Sequence, residues 1–395
     1  MKIREKFLSL AVPDISEEEK KEVMDALDSG WISVGPKVKE FENKFAEYHG
    51  VKHAVALSSC TAALFIAAKV LGITKGDYVI VPTITWQSTA NIAEQLDATP
   101  LFCDVDVDTL NICSEDIQDH IKQYGSKIKA IIPVHHSGLP ADIDEITKIS
   151  EKHGIPVIYD AAHAVFSSYR NKMIGQYGAM SAFSFYATKN LTTGDGGMIT
   201  TNDDDLAEQC RLWSYHGLPK DSWKRYSAEN ASPHVQSVVP GYKLNLTDLQ
   251  AALGLAQLRR KEDLLSKRNF LVETYNKFFE DSDWIDTPVF QTEHGKWGNH
   301  VYVIKILDDD INRDRLMQEL RKLNIGTNLH FYPVHKNIYY EKKYPDVKLP
   351  ASEWLMDRIL TLPLCTKYSV SDLEYVRDSL DYIYENRLAN KTQFV

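Results

Sequence analysis

Lys189 stands in the stretch "FSFYATKNLTTGDGG", residues 183–197. It lies between a strand-like run of small and aromatic side chains, Met180 to Tyr186, and a Thr- and Gly-rich turn, Thr192 to Gly197. An amine at the end of a buried strand is partly withdrawn from water. Its charged form is disfavoured, its pKa falls, and the neutral nitrogen becomes a nucleophile of the kind that forms Schiff bases. Asp160, in "VIYDAAHA", closes a second apolar run, so its carboxylate is expected at the carboxyl end of a strand, the edge at which open α/β sheets bind ligands. Capping of the Ala161–Val165 turn is the alternative use of that carboxylate. A lysine and an aspartate on different strands are what pyridoxal 5'-phosphate (PLP) needs. The aspartate keeps the pyridine nitrogen protonated, so that the ring accepts electrons, and the lysine holds the aldehyde carbon and moves a proton.

Other residues fit the same chemistry. In "SSCTAAL" the hydroxyls of Ser58, Ser59 and Thr61 fall where a strand passes into an Ala-rich helix, and amides at a helix N-terminus attract a phosphate. The same residues also serve as ordinary helix caps. Ser184, two residues before Tyr186, supplies a further hydroxyl. Trp86, in "PTITWQST", is placed either to stack on a flat ring or to fill the core as a half-buried aromatic. His163, three residues past Asp160, can face the same cofactor or be structural. His135 and His136 are adjacent on an expected strand and point to opposite faces, so no chelating pair is expected from them. Cys60, Cys103, Cys113, Cys210 and Cys365 lack CxxC spacing, which argues against a disulfide framework or a zinc site. No metal is expected. There is no GxGxxG after the first strand and no GxxxxGK[ST], so a nucleotide cofactor is disfavoured.

The elements that must position these groups follow from the hydrophobic pattern. From residue 53 to about 200, apolar runs alternate with helical patterns, the signature of a mostly parallel sheet covered by helices in an α/β domain. Strands are expected at His53–Leu57, Tyr78–Val81, Pro100–Cys103, Ala130–Val134, Pro156–Tyr159, Ser181–Phe185 and Met198–Thr201. Helices are expected at Thr61–Leu71, Ser88–Leu96, Ser114–Tyr124, Ile143–His153 and Asp204–Trp213. Residues 217–241, polar and rich in Gly and Pro, read as a long loop. A helical stretch, Leu246–Phe279, precedes a smaller α+β unit, and the division expected is a large PLP-binding domain over 1–255 and a small domain over 256–395. The chain has 395 residues and a net charge of −10, which disfavours nucleic-acid and anionic-membrane partners. A charged start and the lack of 18 consecutive apolar residues point to a cytoplasmic protein.

The motifs "SGWISVGPKVKEFE", "SSCTAAL", "VPTITWQSTAN", "IPVHHSGLPADI", "VIYDAAHA", "FSFYATKNLTTGDGGMITTND", "PGYKLNLTDLQAALGLAQL" and "IGTNLHFYPVH" run in order over nearly the whole chain. Together they resemble the DegT/DnrJ-type PLP-dependent aminotransferases that act on nucleotide-linked keto sugars. The resemblance implies the aspartate aminotransferase-like fold of PLP-dependent transferases, fold type I. It implies that Lys189 is the Schiff-base lysine, that Asp160 binds the pyridine nitrogen and that His163 contacts the cofactor near its phenolic oxygen. By the same resemblance Trp86 stacks on the ring, and Cys60, Thr61, Ala62 and Ser184 surround the phosphate. Asn245 reaches that phosphate from the neighbouring subunit, which implies a homodimer with shared sites. Trp31, His330 and Tyr332 face the sugar nucleotide, and L-glutamate is the amino donor.

Within this family the sequence looks most like enzymes that aminate C4 of UDP-linked 4-keto sugars, such as the one making UDP-4-amino-4-deoxy-L-arabinose for lipopolysaccharide. Aminotransferases for pseudaminic acid or perosamine precursors share enough of the pattern to stay open. Two residues depart from the family's habit: Tyr159 stands where Glu is frequent, and Cys60 where Ala or Gly is usual. Relatives with His in place of the lysine are dehydratases, and Lys189 argues against that chemistry. PLP-dependent dehydration or lyase chemistry, and a PLP-binding sensor without turnover, are the alternatives.

Overall fold

The computed structural model describes residues 2–219 and 236–389; the rest of the expected 217–241 loop, 220–235, lies outside the described residues. The strands are β1 (His53–Leu57), β2 (Tyr78–Pro82), β3 (Thr99–Cys103), β4 (Ile128–Ile131), β5 (Ile158–Asp160), the short β6 (Ser168–Tyr169) and β7 (Lys172–Met173), β8 (Met180–Ser184) and β9 (Gly197–Thr201). They are followed by β10 (Ile285–Asp286), β11 (Gly295–Lys296), β12 (Tyr302–Ile306) and β13 (Ile359–Leu362). The main sheet has two hydrogen-bonded parts, β3-β2-β4 and β5-β8-β9-β1, joined by parallel bridges from Ile131 to Val157 and from Val134 to Asp160. β9 pairs antiparallel with both β8 and β1, so it runs against the other strands of this sheet. Helices cover both faces of the parallel strands, which are accordingly near-continuous apolar runs rather than alternating ones.

Two strands differ from the sequence expectation by more than one residue at an end, and both lie beside a proline. The apolar run expected as one strand over Ala130–Val134 pairs with β2 only to Ile131. The Ile132 amide still donates to the Ile80 carbonyl at 2.8 Å, and beyond it the chain pairs on the β5 side, where the Asp160 amide donates to the Pro133 carbonyl at 2.8 Å. Likewise Pro156 offers only its carbonyl, to the Ile131 amide, and regular pairing of β5 begins at Ile158. The helices Ser114–Tyr124 and Ile143–His153 end where expected.

Local chemistry explains the starts of the helices that matter for the site. The helix Cys60–Val70 begins at Ser59, whose Oγ accepts a hydrogen bond from the Ala62 amide at 3.0 Å. The helix Pro36–His49 opens on a proline, whose missing amide hydrogen costs nothing there. It packs Phe41 and Phe45 onto Phe183 and Phe185, with the Phe45 ring 5.2 and 5.4 Å from the last two.

The C-terminal unit is an antiparallel sheet, β10-β12-β13, with the helices Lys261–Phe279 and Val370–Ala389 sharing its core. A strap between β12 and β13 returns to the main sheet. Val334, Tyr340 and Leu349 join the core around β2, Thr83 Oγ1 bonds His335 Nδ1 at 2.6 Å, and Asp104 accepts from the Ala351 and Ser352 amides at 2.8 Å. His330 and Phe331 lie at the start of that strap and are thereby held over the sheet. No described helix is long and apolar enough to cross a membrane.

The aromatic cluster under β8 sets the position of the chain leading to Lys189. Phe45→Ala is expected to cost about 3–5 kcal/mol of stability, read from urea unfolding; a loss well below ~1 kcal/mol would show that the cluster does not seat this strand.

Candidate active site

Four parallel strands, β1, β2, β5 and β8, deliver their carboxyl ends to one cavity of about 620 Å³. β5 ends on Asp160. β8 ends on Ser184, after which a turn closed by the Thr193 amide on the Phe185 carbonyl, at 2.9 Å, brings Lys189 back to the cavity. β2 leads to Thr85 and Trp86, and β1 to Ser59, Cys60 and Thr61. The β9 backbone passes close beneath this last loop: a Cβ at Gly197 would collide with the Ser59 carbonyl and the Cys60 amide, so glycine is required there.

Asp160 is buried, and both of its oxygens are engaged. Thr89 Oγ1 donates to one at 2.8 Å and the Ala162 amide to the other at 3.1 Å, so the turn-capping role and the cavity-facing role coexist. Thr89 in turn bonds the Thr85 hydroxyl at 2.9 Å. Burial pushes the Asp160 carboxyl up, against the lowering by Thr89, Ala162 and Lys189. Lys189 responds in the opposite sense to the same cause: desolvation pulls its amine down to about 8, opposed by Cys60 and Asp160. Its Nζ is 3.5 Å from His300 Nε2.

His163 lines the cavity between two rings, stacked on Phe331 at 5.6 Å and 4.4 Å from His300. Its Nδ1 is buried without a hydrogen-bond partner among the described residues. Burial, reinforced by Lys189, holds the ring well below the ordinary histidine range, so it is neutral at pH 7. His330 also lines the cavity, with Nδ1 bonded to Thr361 Oγ1 at 2.9 Å, and burial brings it down to about 3. Trp86 is 58% exposed at the cavity wall, 6.1 Å from Phe331, which sets aside its reading as a core aromatic.

Ser59, Cys60, Thr61 and Ser184 line the cavity; the Ala62 amide is taken by Ser59. Trp31, Tyr332 and Asn245 do not line it within one chain. Asn245 borders a separate depression with Glu42 and Arg211, and its side chain donates to the Leu246 carbonyl at 2.8 Å. Tyr159 faces the other side of the sheet, stacked on His135 at 4.8 Å. Thr89, His300, Asn190 and Phe331 belong to the site without having been singled out in the sequence. Asn190, adjacent to Lys189, and Phe331, between His330 and Tyr332, carried a local signal.

These residues fit PLP. A buried carboxylate with two donors and no ion pair among the described residues suits a protonated ring nitrogen, and the orphaned Nδ1 of His163 suits a polar ring substituent. The hydroxyls at the head of the Cys60–Val70 helix suit a phosphate.

The comparisons with known proteins agree. A model described as the DegT/DnrJ/EryC1/StrS aminotransferase family matches residues 13–381. The spore coat polysaccharide biosynthesis protein SpsC of Bacillus subtilis (strain 168) is 43% identical over 382 residues, covering 95% of this chain and 97% of that protein. The PLP form of Spr1654 from Streptococcus pneumoniae, described as a sugar aminotransferase, superposes with a TM-score of 0.88 at 30% identity over 96% of this chain and 99% of that one. DesI, solved in the presence of its TDP-sugar product, superposes with a TM-score of 0.85 at 28% identity, over 95% of this chain and 92% of that one.

The lowered amine of Lys189 makes a pH prediction. Only the neutral amine attacks an aldehyde, and the neutral fraction grows with pH until the folded pKa is passed. The rate at which apoprotein captures PLP, followed by visible absorbance, is therefore expected to level off above about 8 rather than above 10.5. Because the Asp160 charge raises the lysine, Asp160→Asn is expected to move the inflection down; an upward shift would contradict this arrangement.

Proposed function

Because the chain belongs to the DegT/DnrJ/EryC1/StrS aminotransferase family, we propose that it moves an amino group from L-glutamate to a nucleotide-linked 4-keto sugar, UDP-linked in particular. It is a PLP-dependent sugar aminotransferase of fold type I, and its cofactor is PLP. The observation that carries the proposal is the joint placement of Asp160, at the end of β5, and Lys189, on the loop that follows the adjacent parallel strand β8, in one cavity. The product's destination is a cell-surface glycan, a reading supported by the spore-coat polysaccharide role in the name of SpsC. The TDP-sugar product named with DesI supports a nucleotide-linked substrate.

PLP bound here supplies an electron sink through which an amino group leaves one carbon and is delivered to another. The chain's own residues do the rest. Asp160, kept in place by Thr89 and the Ala162 amide, holds the proton on the pyridine nitrogen. Lys189, whose amine desolvation brings down to about 8, would hold the aldehyde carbon and would take up and return a proton at its Nζ. Ser59 accepts from the Ala62 amide and so keeps its own hydroxyl hydrogen to donate, with Thr61 and Ser184, to the phosphate. Trp86 and His163 flank the ring, and the Phe331 stack keeps the neutral imidazole in place.

The sugar nucleotide enters past His330, with Trp31 and Tyr332 meeting it further out. Asn245, which stands outside its own chain's cavity, completes the phosphate site of a second copy, so the working unit is a homodimer. The division at residue 255 separates the unit that holds PLP from the unit that brings His330 to it.

The test uses the PLP-loaded protein. L-Glutamate is expected to remove the visible band, and a UDP-linked 4-keto sugar to restore it with release of a UDP-amino sugar identified by mass spectrometry. Lys189→Ala is expected to do neither while keeping the wild-type circular dichroism. Wild-type turnover by that variant, or release of a dehydrated sugar instead of an amino sugar, would overturn the proposal.

A further inference from the structure

We propose that His300 is a positioning residue for Lys189: its Nε2 lone pair accepts a hydrogen from the free amine and turns the lysine nitrogen toward the cavity. The inference rests on the assignment of Lys189 as the PLP-bearing amine. It starts from the way the His300 ring is fixed. Asn190 Nδ2 donates to the Gly298 carbonyl, and only the amide nitrogen can do so, which leaves Asn190 Oδ1 as the group 3.0 Å from His300 Nδ1. Nδ1 must then carry the ring hydrogen. In the neutral imidazole that assignment leaves Nε2 unprotonated, and Nε2 is the atom 3.5 Å from Lys189 Nζ.

The backbone under the ring is held as firmly. The His300 amide donates to the Ser137 carbonyl at 3.2 Å, and the Trp297 indole donates to the same carbonyl. Arg268, itself buried, donates through Nη1 to the Asn299 and His300 carbonyls at 3.1 and 3.0 Å. The charged and titratable groups that face the ring are Lys189, Arg268, His163, His330 and His136. None is a carboxylate, and together with burial they hold the imidazole unprotonated, so that it accepts from an amine and does not compete with it as a cation. Because Asn190 follows Lys189 directly in the chain, the contact that sets the tautomer of His300 also ties it to the peptide of the lysine that it orients. No bond to His300 forms or breaks; it supplies one acceptor at a fixed place.

The experiment is rapid mixing of apoprotein with PLP, reading the rate at which the visible band appears across pH. His300→Leu fills the volume and removes the acceptor, whereas His300→Gln keeps a side-chain acceptor. We expect the Leu variant to slow capture by about tenfold or more and the Gln variant to stay within about threefold of wild type, with both retaining wild-type circular dichroism. Asn190→Leu, which releases the tautomer, is expected to fall on the slow side too. A folded Leu variant with the wild-type rate and pH profile overturns the proposal. If the Leu variant does not fold, Asn190→Leu decides it, and a wild-type rate there overturns it equally. Failure of the wild-type protein to develop the band would instead overturn the assignment of Lys189 and leave His300 no role to position.

Discussion

The structure depends on keeping out of water one carboxylate, at the end of β5, and one amine, on the loop that follows the neighbouring strand β8. Either group alone would resist burial: a lone buried charge costs several kcal/mol and is relieved by a change of protonation. Here both shift in the direction that burial dictates, the Asp160 carboxyl upward and the Lys189 amine downward, and each partly restrains the other. Such a pair would suit a cofactor that has both a protonated ring nitrogen and an aldehyde. A site of this kind is held ready by its surroundings rather than by its own stability.

Those surroundings explain the shape of the fold. β5 and β8 pair in parallel with Asp160 opposite Ala182, so the chain must leave the sheet and return on the same edge to bring Lys189 back. The loop from Phe185 to Thr193, closed by the Thr193 amide on the Phe185 carbonyl, does this, and glycine at 197 lets β9 pass against the loop that begins the Cys60–Val70 helix. From above, the strap anchored by Thr83, Asp104 and the core around Val334 presses Phe331 on His163 and brings His330 to the cavity rim. The two units of the chain thus meet at the site.

Much of this is legible in the residues themselves. Lys189 and Asp160 stand at the ends of apolar runs, and Ser59 stands at the join of a strand and an Ala-rich helix; each is a local pattern with a local physical meaning. Strand ends were less legible around Pro133 and Pro156, because the pairing there depends on which neighbouring strand the chain meets. Thr89 and His300 were not legible at all. Their roles arise from contacts across more than a hundred residues in the case of His300 with Lys189, or between one helix turn and another strand in the case of Thr89 with Asp160, and nothing in their own surroundings in the chain marks them. Asn245, Trp31 and Tyr332 owe their expected roles to the family resemblance, and in a single chain they lie outside the cavity.

The central claim is that Lys189 is the amine that bonds the cofactor. The most direct measurement is to load the protein with PLP, reduce it with borohydride, digest it and locate the added pyridoxyl mass by tandem mass spectrometry. The account predicts one adduct, on the peptide that contains Lys189, and its absence from Lys189→Ala. An adduct spread over surface lysines, or found on another residue with Lys189 unmodified, would contradict it.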